Sequence, residues 1–242
     1  MKTLILGASG VTGSLVALEL LSRKIPIRVI VRESATLPAE LFTNPLVEIR
    51  RGNITEIADS ELLELLENCD SVISCLGHNI TLKGMVGQPR NLVATSIRNI
   101  CNMINRNIDS TVKLILMSTT AYTNTKDSEK NSWGEYIILS ILHFILPPHR
   151  DNVSAANYLQ NEIGTENPKI EWIAVRPDTL INESEKDVYE VHQSPVRSPI
   201  FDAGKISRIN VGQFMADLLT SKQLWHRWRY QMPVIYNQVL GE

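Results

Sequence analysis

The chain has 242 residues, of which 43% are hydrophobic and 21% are charged, with a formal net charge of −2. This balance excludes collagen-like, intrinsically disordered and disulfide-scaffold proteins, and the length suits one substantial α/β domain. A near-neutral charge also argues against a dedicated nucleic-acid-binding protein, because neutralising phosphates requires a concentrated basic face.

The three cysteines, Cys69, Cys75 and Cys101, lack the number and spacing of a disulfide framework or a zinc site, and the histidines show no metal-ligand spacing. We therefore expect no bound metal and a reducing compartment. The longest apolar run, Tyr136–Leu146, is much shorter than the roughly 20 residues of a membrane span. Three glycines interrupt the apolar stretch after Met1, which is unlike a secretory signal. We expect a cytoplasmic protein with no membrane partner.

Short apolar segments alternate with segments of helical periodicity along most of the chain. Strands are predicted over 2–6, 26–31, 46–50, 71–75, 112–117 and 171–175, and helices over 12–23, 59–67 and 89–106. Strands this apolar are typical of a parallel sheet covered by helices. The pattern predicts an α/β fold with a Rossmann-type doubly wound parallel sheet and helices on both faces. No linker or repeat is visible, so a single domain is expected over 1–242.

Two segments, 123–150 and 178–209, interrupt the alternation. Both leave from carboxyl ends of predicted strands, where doubly wound folds bind ligands, so we expect them to cover a substrate. Within the first, Tyr136–Leu146 predicts a helix that either packs against the body or forms a pocket wall or partner surface. A small C-terminal elaboration on the substrate side is also expected. Its segment Leu224–Tyr230 is predicted to pack as a cap, with arginines over aromatic rings, rather than to contact nucleic acid or a membrane.

A glycine-rich loop joins the first predicted strand to the first predicted helix. It comprises Gly7, Ala8, Ser9, Gly10, Val11, Thr12 and Gly13. The first glycine permits a tight turn, the second lets a pyrophosphate approach the backbone, and the third allows close packing of helix on strand. The unpaired N–H groups at the helix start would then hold the phosphates. The loop therefore predicts dinucleotide binding, and the missing Gly-Lys-Ser/Thr sequence excludes a P-loop.

Arg32 occupies the end of the second predicted strand, beside the expected position of the adenosine ribose. A basic residue there suits a 2′-phosphate, whereas an acidic one would bind a free 2′-hydroxyl. Arg32 therefore favours NADP over NAD, although Glu33 stands next to it and a solvated arginine at a strand end is the alternative.

With these motifs, the chain resembles the atypical short-chain dehydrogenase/reductases, the NmrA-like and biliverdin-reductase-B-like NAD(P)-binding proteins. The likeness is carried by the glycine loop, Val31-Arg32, Gly52–Thr55, Val72–Gly77, Ser118–Thr120, Glu171–Pro177 and Ile206–Leu219.

The resemblance implies several roles around the cofactor. Asn53 and Ile54 would border the adenine, and the backbone after Pro177 would close over the nicotinamide. Arg176 would be a structural, ion-pairing residue rather than a catalytic one. The residues expected to line the ribose and nicotinamide are Cys75, Leu76, Gly77 and Ser118.

The chain departs from this family at the usual proton donor. Many relatives carry a Tyr-x-x-x-Lys pair on the helix before strand six, and aligning that helix on Glu162 places the two slots at Ser154 and Tyr158. Neither residue is the expected type, and a carboxylate such as Glu162 raises the pKa of a nearby phenol rather than lowering it. Ordinary ketone–alcohol oxidoreduction is therefore in doubt.

Hydride transfer requires mainly that donor and acceptor be aligned. We therefore expect NADPH-dependent reduction of a small aromatic or conjugated acceptor, such as a flavin, quinone or pigment, that needs no strong acid. The alternatives are a non-catalytic NADP(H) sensor that presents a surface to a partner and, less favoured, an isomerase or epimerase. The candidate catalytic groups are Ser118, Thr120, Tyr158 and His78, with Tyr122 nearby. Solvation of His78 and a capping role for the two hydroxyls are the structural alternatives.

Overall fold

Strands and helices alternate in the computed structural model, which describes residues 1–78, 91–130 and 132–238. The strands are β1 (Thr3–Leu6), β2 (Ile27–Val31), β3 (Val47–Arg51), β4 (Ser71–Ser74), β5 (Val112–Met117), β6 (Ile170–Pro177), β7 (Thr179–Ile181), β8 (Tyr189–His192), β9 (Lys205–Ser207) and β10 (Val234–Asn237). The helices are α1 (Val11–Ser22), α2 (Ala39–Thr43), α3 (Asp59–Leu66), α4 (Leu92–Asn107), α5 (Trp133–Ile145), α6 (Pro147–Tyr158), α7 (Arg208–Thr220) and α8 (Lys222–Trp228). A 3₁₀ turn spans Thr125–Asp127, and a π-helical turn over Leu159–Ile163 extends α6.

The main sheet has the strand order β3-β2-β1-β4-β5-β6-β10-β8. β1 lies between β2 and β4 and is parallel to both, so that Ile5 faces Val29 on one side and Ile73 on the other. From β1 the chain continues through β2 to β3 at one edge of the sheet. It then crosses back to β4 on the other side of β1 and continues through β5 to β6. This reversal is the switch point at which doubly wound folds bind ligands. The predicted Rossmann-type fold is confirmed.

At the far edge of the sheet, the sequence indicates only short strand-like pieces around Val188–Val191, where β8 lies, and β10 was not predicted. β10 adds parallel to β6, and β8 pairs antiparallel with β10, so the sheet is mixed rather than wholly parallel. The segment 178–209 also supplies β7 and β9, which form a separate two-stranded parallel sheet. The short strands β7, β9 and β10 were not recognised from sequence, because their pairing depends on partners distant in the chain.

The sheet is buried on both faces. Leu4 and Leu6 of β1 pack in a cluster with α3, α4 and α6, whereas Ile5 packs in a second cluster with α1, α2, α7 and α8. In α8, Trp225 and Trp228 are buried, and Arg227 lies 5.0 Å from the Trp228 ring centroid. The predicted C-terminal cap is confirmed.

Two helices differ from the sequence-based expectation. α5 begins three residues before the apolar run and is not buried as a whole: Leu139 is buried, but Tyr136, Ile137 and Ile141 are exposed. The resemblance implied a helix carrying Ser154 and Tyr158, which is α6, but its start at Pro147 was not predicted: Pro147-Pro148 suggests a break, yet prolines are well tolerated in the first turn of a helix. For the predicted helix 89–106, residues 89 and 90 lie outside the described residues, and the helix extends to Asn107.

Candidate functional site

The glycine loop has a backbone that two of its residues could form only as glycine. Gly7 has a φ of +79°, and a Cβ there would lie 2.6 Å from the carbonyl oxygen of Cys75. A Cβ on Gly13 would lie 2.1 Å from the carbonyl oxygen of Gly7. The loop therefore packs directly against the end of β4, at the switch point of the sheet.

The start of α1 is open to a ligand. Gly10 is the N-cap residue and supplies no side-chain cap, so the amides of the first turn have no side-chain acceptor within residues 1–78, 91–130 and 132–238. Ser9, Gly10 and Val11 are exposed, while Ala8 and Thr12 are buried beneath them. Exposed, uncapped N–H groups at the positive end of a helix are the donors that a diphosphate requires, so these residues fit a dinucleotide.

Two arginines lie at the adenosine end of this crevice. Arg32, directly after β2, is exposed, and no hydrogen bond or ion pair of its guanidinium is found among the described residues. Arg51 lies opposite Val31 in the β2–β3 register, and its Nη1 donates to the carbonyl oxygens of Arg32 (3.2 Å), Glu33 (3.2 Å) and Ala35 (3.0 Å). Arg51 could not be predicted from local sequence, since only the strand register brings it beside Arg32.

The predicted adenine neighbours differ in exposure. Asn53 is half-buried, and its Oδ1 accepts hydrogen bonds from the N–H (3.3 Å) and hydroxyl (3.0 Å) of Thr55. Ile54 is buried in the core against the α3 side of the sheet. Its side chain is therefore committed to packing, and Asn53 is the residue of the two that remains accessible.

The residues after β4 present mainly backbone to the crevice. Burial raises the pKa of the Cys75 thiol to about 12, and its Sγ lies 3.9 Å from Sδ of Met215 in α7. Leu76 is half-buried and Gly77 is exposed, with no atom of the described residues within 4 Å of the position that a Cβ on Gly77 would take. Cys75 is thus an inert packing residue on its thiol side.

His78, the next residue, forms a buried pair with Asp151 of α6. Its Nε2 lies 2.8 Å from Oδ2 of Asp151, and the two side chains are 6% and 0% exposed. Asp151 also accepts hydrogen bonds from the N–H groups of Val93 (2.8 Å) and Ala94 (2.9 Å) in the first turn of α4. The alternative interpretation of His78 as a solvated loop residue is therefore wrong. Asp151 was missed because no local pattern marks a residue that caps a different helix.

Further polar groups follow β5 and β6. The Oγ of Ser118 is buried and has no hydrogen-bond partner among the described residues. The hydroxyl of Thr120 bonds the carboxyl of Asp178, which also accepts from the N–H groups of Thr179 (2.8 Å) and Gly204 (3.0 Å). Burial raises the pKa of Asp178, against the opposing effect of these hydrogen bonds. Asp178 directly follows Pro177 and was also missed by the sequence analysis.

Tyr158 makes its contacts with α4 rather than with the polar groups that follow β5 and β6. Its hydroxyl donates to Oδ1 of Asn102 at 3.5 Å, and the Arg98 guanidinium lies 5.0 Å from its ring centroid. Both residues are in the middle of α4, well past the first turn where His78 and Asp151 meet. Burial also raises the pKa of the Tyr158 phenol. Ser154, in the other slot of the missing pair, is half-buried on α6.

Arg176 is fully buried and makes a two-pronged ion pair with Glu129, at 2.9 Å and 2.6 Å. It also donates to the carbonyl oxygens of Tyr122, Gln193 and Met232. The guanidinium thus has only structural partners, as the resemblance implied. Tyr122 is itself engaged, since its hydroxyl donates to Asn157 and Gln160.

Two further properties concern the described ranges, 1–78, 91–130 and 132–238. No helix in them combines the length and apolar character needed to cross a bilayer. No cluster of three or more histidine, cysteine or acidic side chains in the same ranges has a geometry suited to a metal ion.

The family model for NAD(P)H-binding proteins matches residues 7–222. The chain belongs to this NAD(P)H-binding family. The match begins at Gly7, the first residue of the glycine loop, and runs through α7. It confirms the expected membership of an NAD(P)-binding family and supports NAD(P)H as the cofactor.

Several solved structures share the fold. A short-chain dehydrogenase/reductase of the wide type from Veillonella parvula, in complex with NADP, is 18% identical with a TM-score of 0.68, over 98% of this chain and 94% of that one. An oxidoreductase from Lactococcus lactis is 14% identical (TM-score 0.68, 98% and 91% coverage). The anaerobillin reductase ChuY from Escherichia coli O157:H7 is 15% identical (TM-score 0.68, 100% of both chains). Comparison with curated protein sequences finds no significant match.

Proposed function

We propose that this protein is an NADPH-dependent reductase of a small aromatic or conjugated acceptor. The observation that carries the proposal is the uncapped start of α1 beside the end of β4, with polar groups gathered at the adjoining strand ends. The fold relatives that are described as reductases support the same class of reaction.

NADPH is favoured over NADH by the charge at the adenosine end. Arg32 has an exposed guanidinium without a partner among the described residues, on a loop whose carbonyls are held by Arg51. Guanidinium groups bind phosphate through directed, charge-assisted hydrogen bonds. The neighbouring Glu33 is exposed, and its side-chain carboxylate has no hydrogen bond or ion pair with either arginine in the described part of the chain, so it does not neutralise this position.

The acceptor class follows from the residues at the nicotinamide end. Bound NADPH supplies a hydride, and the chain must orient the acceptor and manage one proton. Ser154 and Tyr158 cannot act as the usual phenol–ammonium pair, and Tyr158 is directed towards the middle of α4. A conjugated acceptor spreads the charge that arrives with the hydride, so the weaker donors Ser118, Thr120 and His78 suffice.

The proposal is tested by combining NADPH binding with turnover. We expect NADPH to raise the thermal unfolding midpoint and to be oxidised with at least one of FMN, menadione and 2,6-dichlorophenolindophenol. NADPH oxidation without protein sets the background, and NADH is the matched cofactor control. If neither cofactor changed the midpoint or gave a heat of association, dinucleotide binding itself would be refuted.

A second candidate is a non-catalytic NADP(H) sensor. It is favoured by the exposed apolar face of α5, where Trp133 is 85% and Tyr136 65% exposed, because such a face suits a partner protein. Tight, reversible NADPH binding with no turnover of the three acceptors would select this function over the reductase.

A further inference from the structure

The buried pair His78–Asp151 lies where the end of β4, the start of α4 and the first turns of α6 meet. In the described part of the chain, the Asp151 carboxylate contacts three nitrogen atoms: Oδ2 faces Nε2 of His78 and the N–H of Val93, and Oδ1 faces the N–H of Ala94. A carboxylate only accepts hydrogen bonds, so the hydrogen in the contact with His78 belongs to Nε2. The imidazole is thereby held in one orientation, and Nδ1 is the ring nitrogen left for exchange of a proton.

The chain places this imidazole close to the candidate cofactor site. His78 directly follows Gly77, where no described atom lies within 4 Å of the position of a Cβ, and comes three residues after Cys75, whose carbonyl oxygen would lie 2.6 Å from a Cβ on Gly7 of the glycine loop. Carboxyl ends of adjacent parallel strands lie at one edge of the sheet, so the ends of β1 and β4 meet at the same crevice.

Two buried hydroxyls provide a second, independent indication of a ligand. Ser74 and Ser118 have no hydrogen-bond partner among the described residues, although buried polar groups are normally paired. Ser74 comes two residues after Val72, and Ser118 two residues after Leu116; both apolar residues pack on the face covered by α4 and α6. Alternation along the strands therefore directs both hydroxyls to the face on which Asp151 lies.

We propose that His78 donates the proton that completes reduction of the acceptor, and that Asp151 is the positioning residue that fixes its ring. This inference rests on the proposed reductase function. It differs from the usual Tyr-x-x-x-Lys arrangement, because the donor comes from the end of β4 and only its orienting partner comes from α6.

The reaction balances as a two-electron reduction. The acceptor takes a hydride from the reduced nicotinamide, so that NADPH is oxidised to NADP⁺ and one double bond of the acceptor becomes a single bond. The Nδ1–H bond of the His78 imidazolium breaks, and its proton forms a new bond to the acceptor atom that has gained the electron pair. His78 remains as the neutral Nε2–H tautomer bonded to Asp151, and water returns a proton to Nδ1.

The test compares the holoenzyme carrying His78→Gln with wild type, using the best acceptor of the three-compound panel. A glutamine amide can still donate to Asp151 but has no titratable proton. We expect kcat to fall by about 10²-fold, within the usual range for a general acid, while KM and the Kd for NADPH change less than about twofold. His226→Gln is the matched control, because His226 is exposed on α8, on the opposite face of the sheet, and this variant should match wild type.

The positioning role of Asp151 is tested by measuring the tautomer of His78 with NMR spectroscopy. In ¹⁵N NMR of histidine-labelled protein we expect neutral His78 to be the Nε2–H tautomer, and Asp151→Asn to shift it towards Nδ1–H and lower kcat about 10-fold with an unchanged KM. Should Asp151→Asn fail to fold, the wild-type spectrum decides: an Nδ1–H tautomer overturns the positioning role.

These experiments distinguish failure of the proton-donor role of His78 from failure of the proposed reductase function. Wild-type turnover with a kcat for His78→Gln within about threefold of wild type would overturn the donor role and leave the reductase intact. Absence of wild-type turnover with tight NADPH binding would refute the reductase itself, and the donor role with it.

Discussion

At the adenosine end of the site, two arginines with the same side chain have different surroundings. Arg51 is committed to three backbone carbonyls of the loop after β2, which it holds in place. Arg32 sits on that loop and remains exposed. The difference assigns Arg51 to loop geometry, and Arg32 is the residue that we propose discriminates between the two dinucleotides.

We therefore expect Arg32→Ala to weaken NADPH binding about 10- to 100-fold and to leave NADH binding nearly unchanged. The reason is that a charge-assisted hydrogen bond contributes roughly 1.5–3 kcal/mol and NADH lacks the 2′-phosphate. Isothermal titration with both cofactors measures the effect. Arg50→Ala is the matched control, since Arg50 pairs with Glu48 and points to the other face of β3. Equal losses for both cofactors would count against the assignment.

At the scale of elements, the Arg176–Glu129 pair joins parts of the molecule that are distant in sequence. The guanidinium belongs to β6, Glu129 to the loop after β5, and the further acceptors Gln193 and Met232 follow β8 and precede β10. Both members are almost fully buried, with side-chain exposures of 0% and 8%. The unpredicted edge of the sheet is therefore tied to the central strands through one residue.

Glu129→Ala should destabilise the protein by about 3 kcal/mol, because it leaves a buried guanidinium without its counter-charge. Urea unfolding followed by circular dichroism gives the free energy of unfolding. Asp202→Ala removes the carboxylate of the exposed Arg197–Asp202 pair and should leave the midpoint nearly unchanged. If the two variants unfolded at the same urea concentration, the buried pair would not have the stabilising role described.

On the scale of the whole molecule, the sheet separates two hydrophobic clusters, and free cysteines lie in both. Cys69 and Cys101 belong to the cluster under α3, α4 and α6, and Cys75 to the cluster under α1 and α7. All three are buried, and burial raises the pKa of each thiol. A thiol reagent therefore meets both low access and a very small thiolate fraction.

The three thiols should react with a thiol reagent only when the molecule unfolds globally. With a pKa of about 12, Cys75 is ionised to roughly one part in 10⁴ at pH 8. NADPH at 100 times its Kd should slow labelling of all three about 100-fold, as binding stabilises the folded state by about 2.7 kcal/mol. Mass spectrometry after timed iodoacetamide exposure measures this, with urea-unfolded protein as the control. Rapid labelling of one cysteine alone would reveal local opening instead.

Much of the fold could be predicted from sequence, because local periodicity carries it. The strands β1 to β6 and the helices α1, α3 and α4 were predicted to within a few residues, and the glycine loop was recognised from its spacing between strand and helix. Gly13 packs against Gly7 within the same loop, and Gly7 packs against Cys75 at the point where β1 meets β4. A side chain would clash at both positions, so each requirement is visible in the sequence as a glycine.

The tertiary structure alone decided the rest, since it depends on which distant segments meet. β10 could be placed only by its pairing with β6, and Arg51 only by the β2–β3 register. Asp151 is 73 residues from His78 along the chain, yet the packing of α6 on α4 makes it both the cap of one helix and the partner of that imidazole. Sequence by itself determined that this protein holds a dinucleotide, because phosphate binding is local backbone chemistry. The surroundings of each candidate catalytic side chain were decided by long-range packing, which no local sequence pattern records.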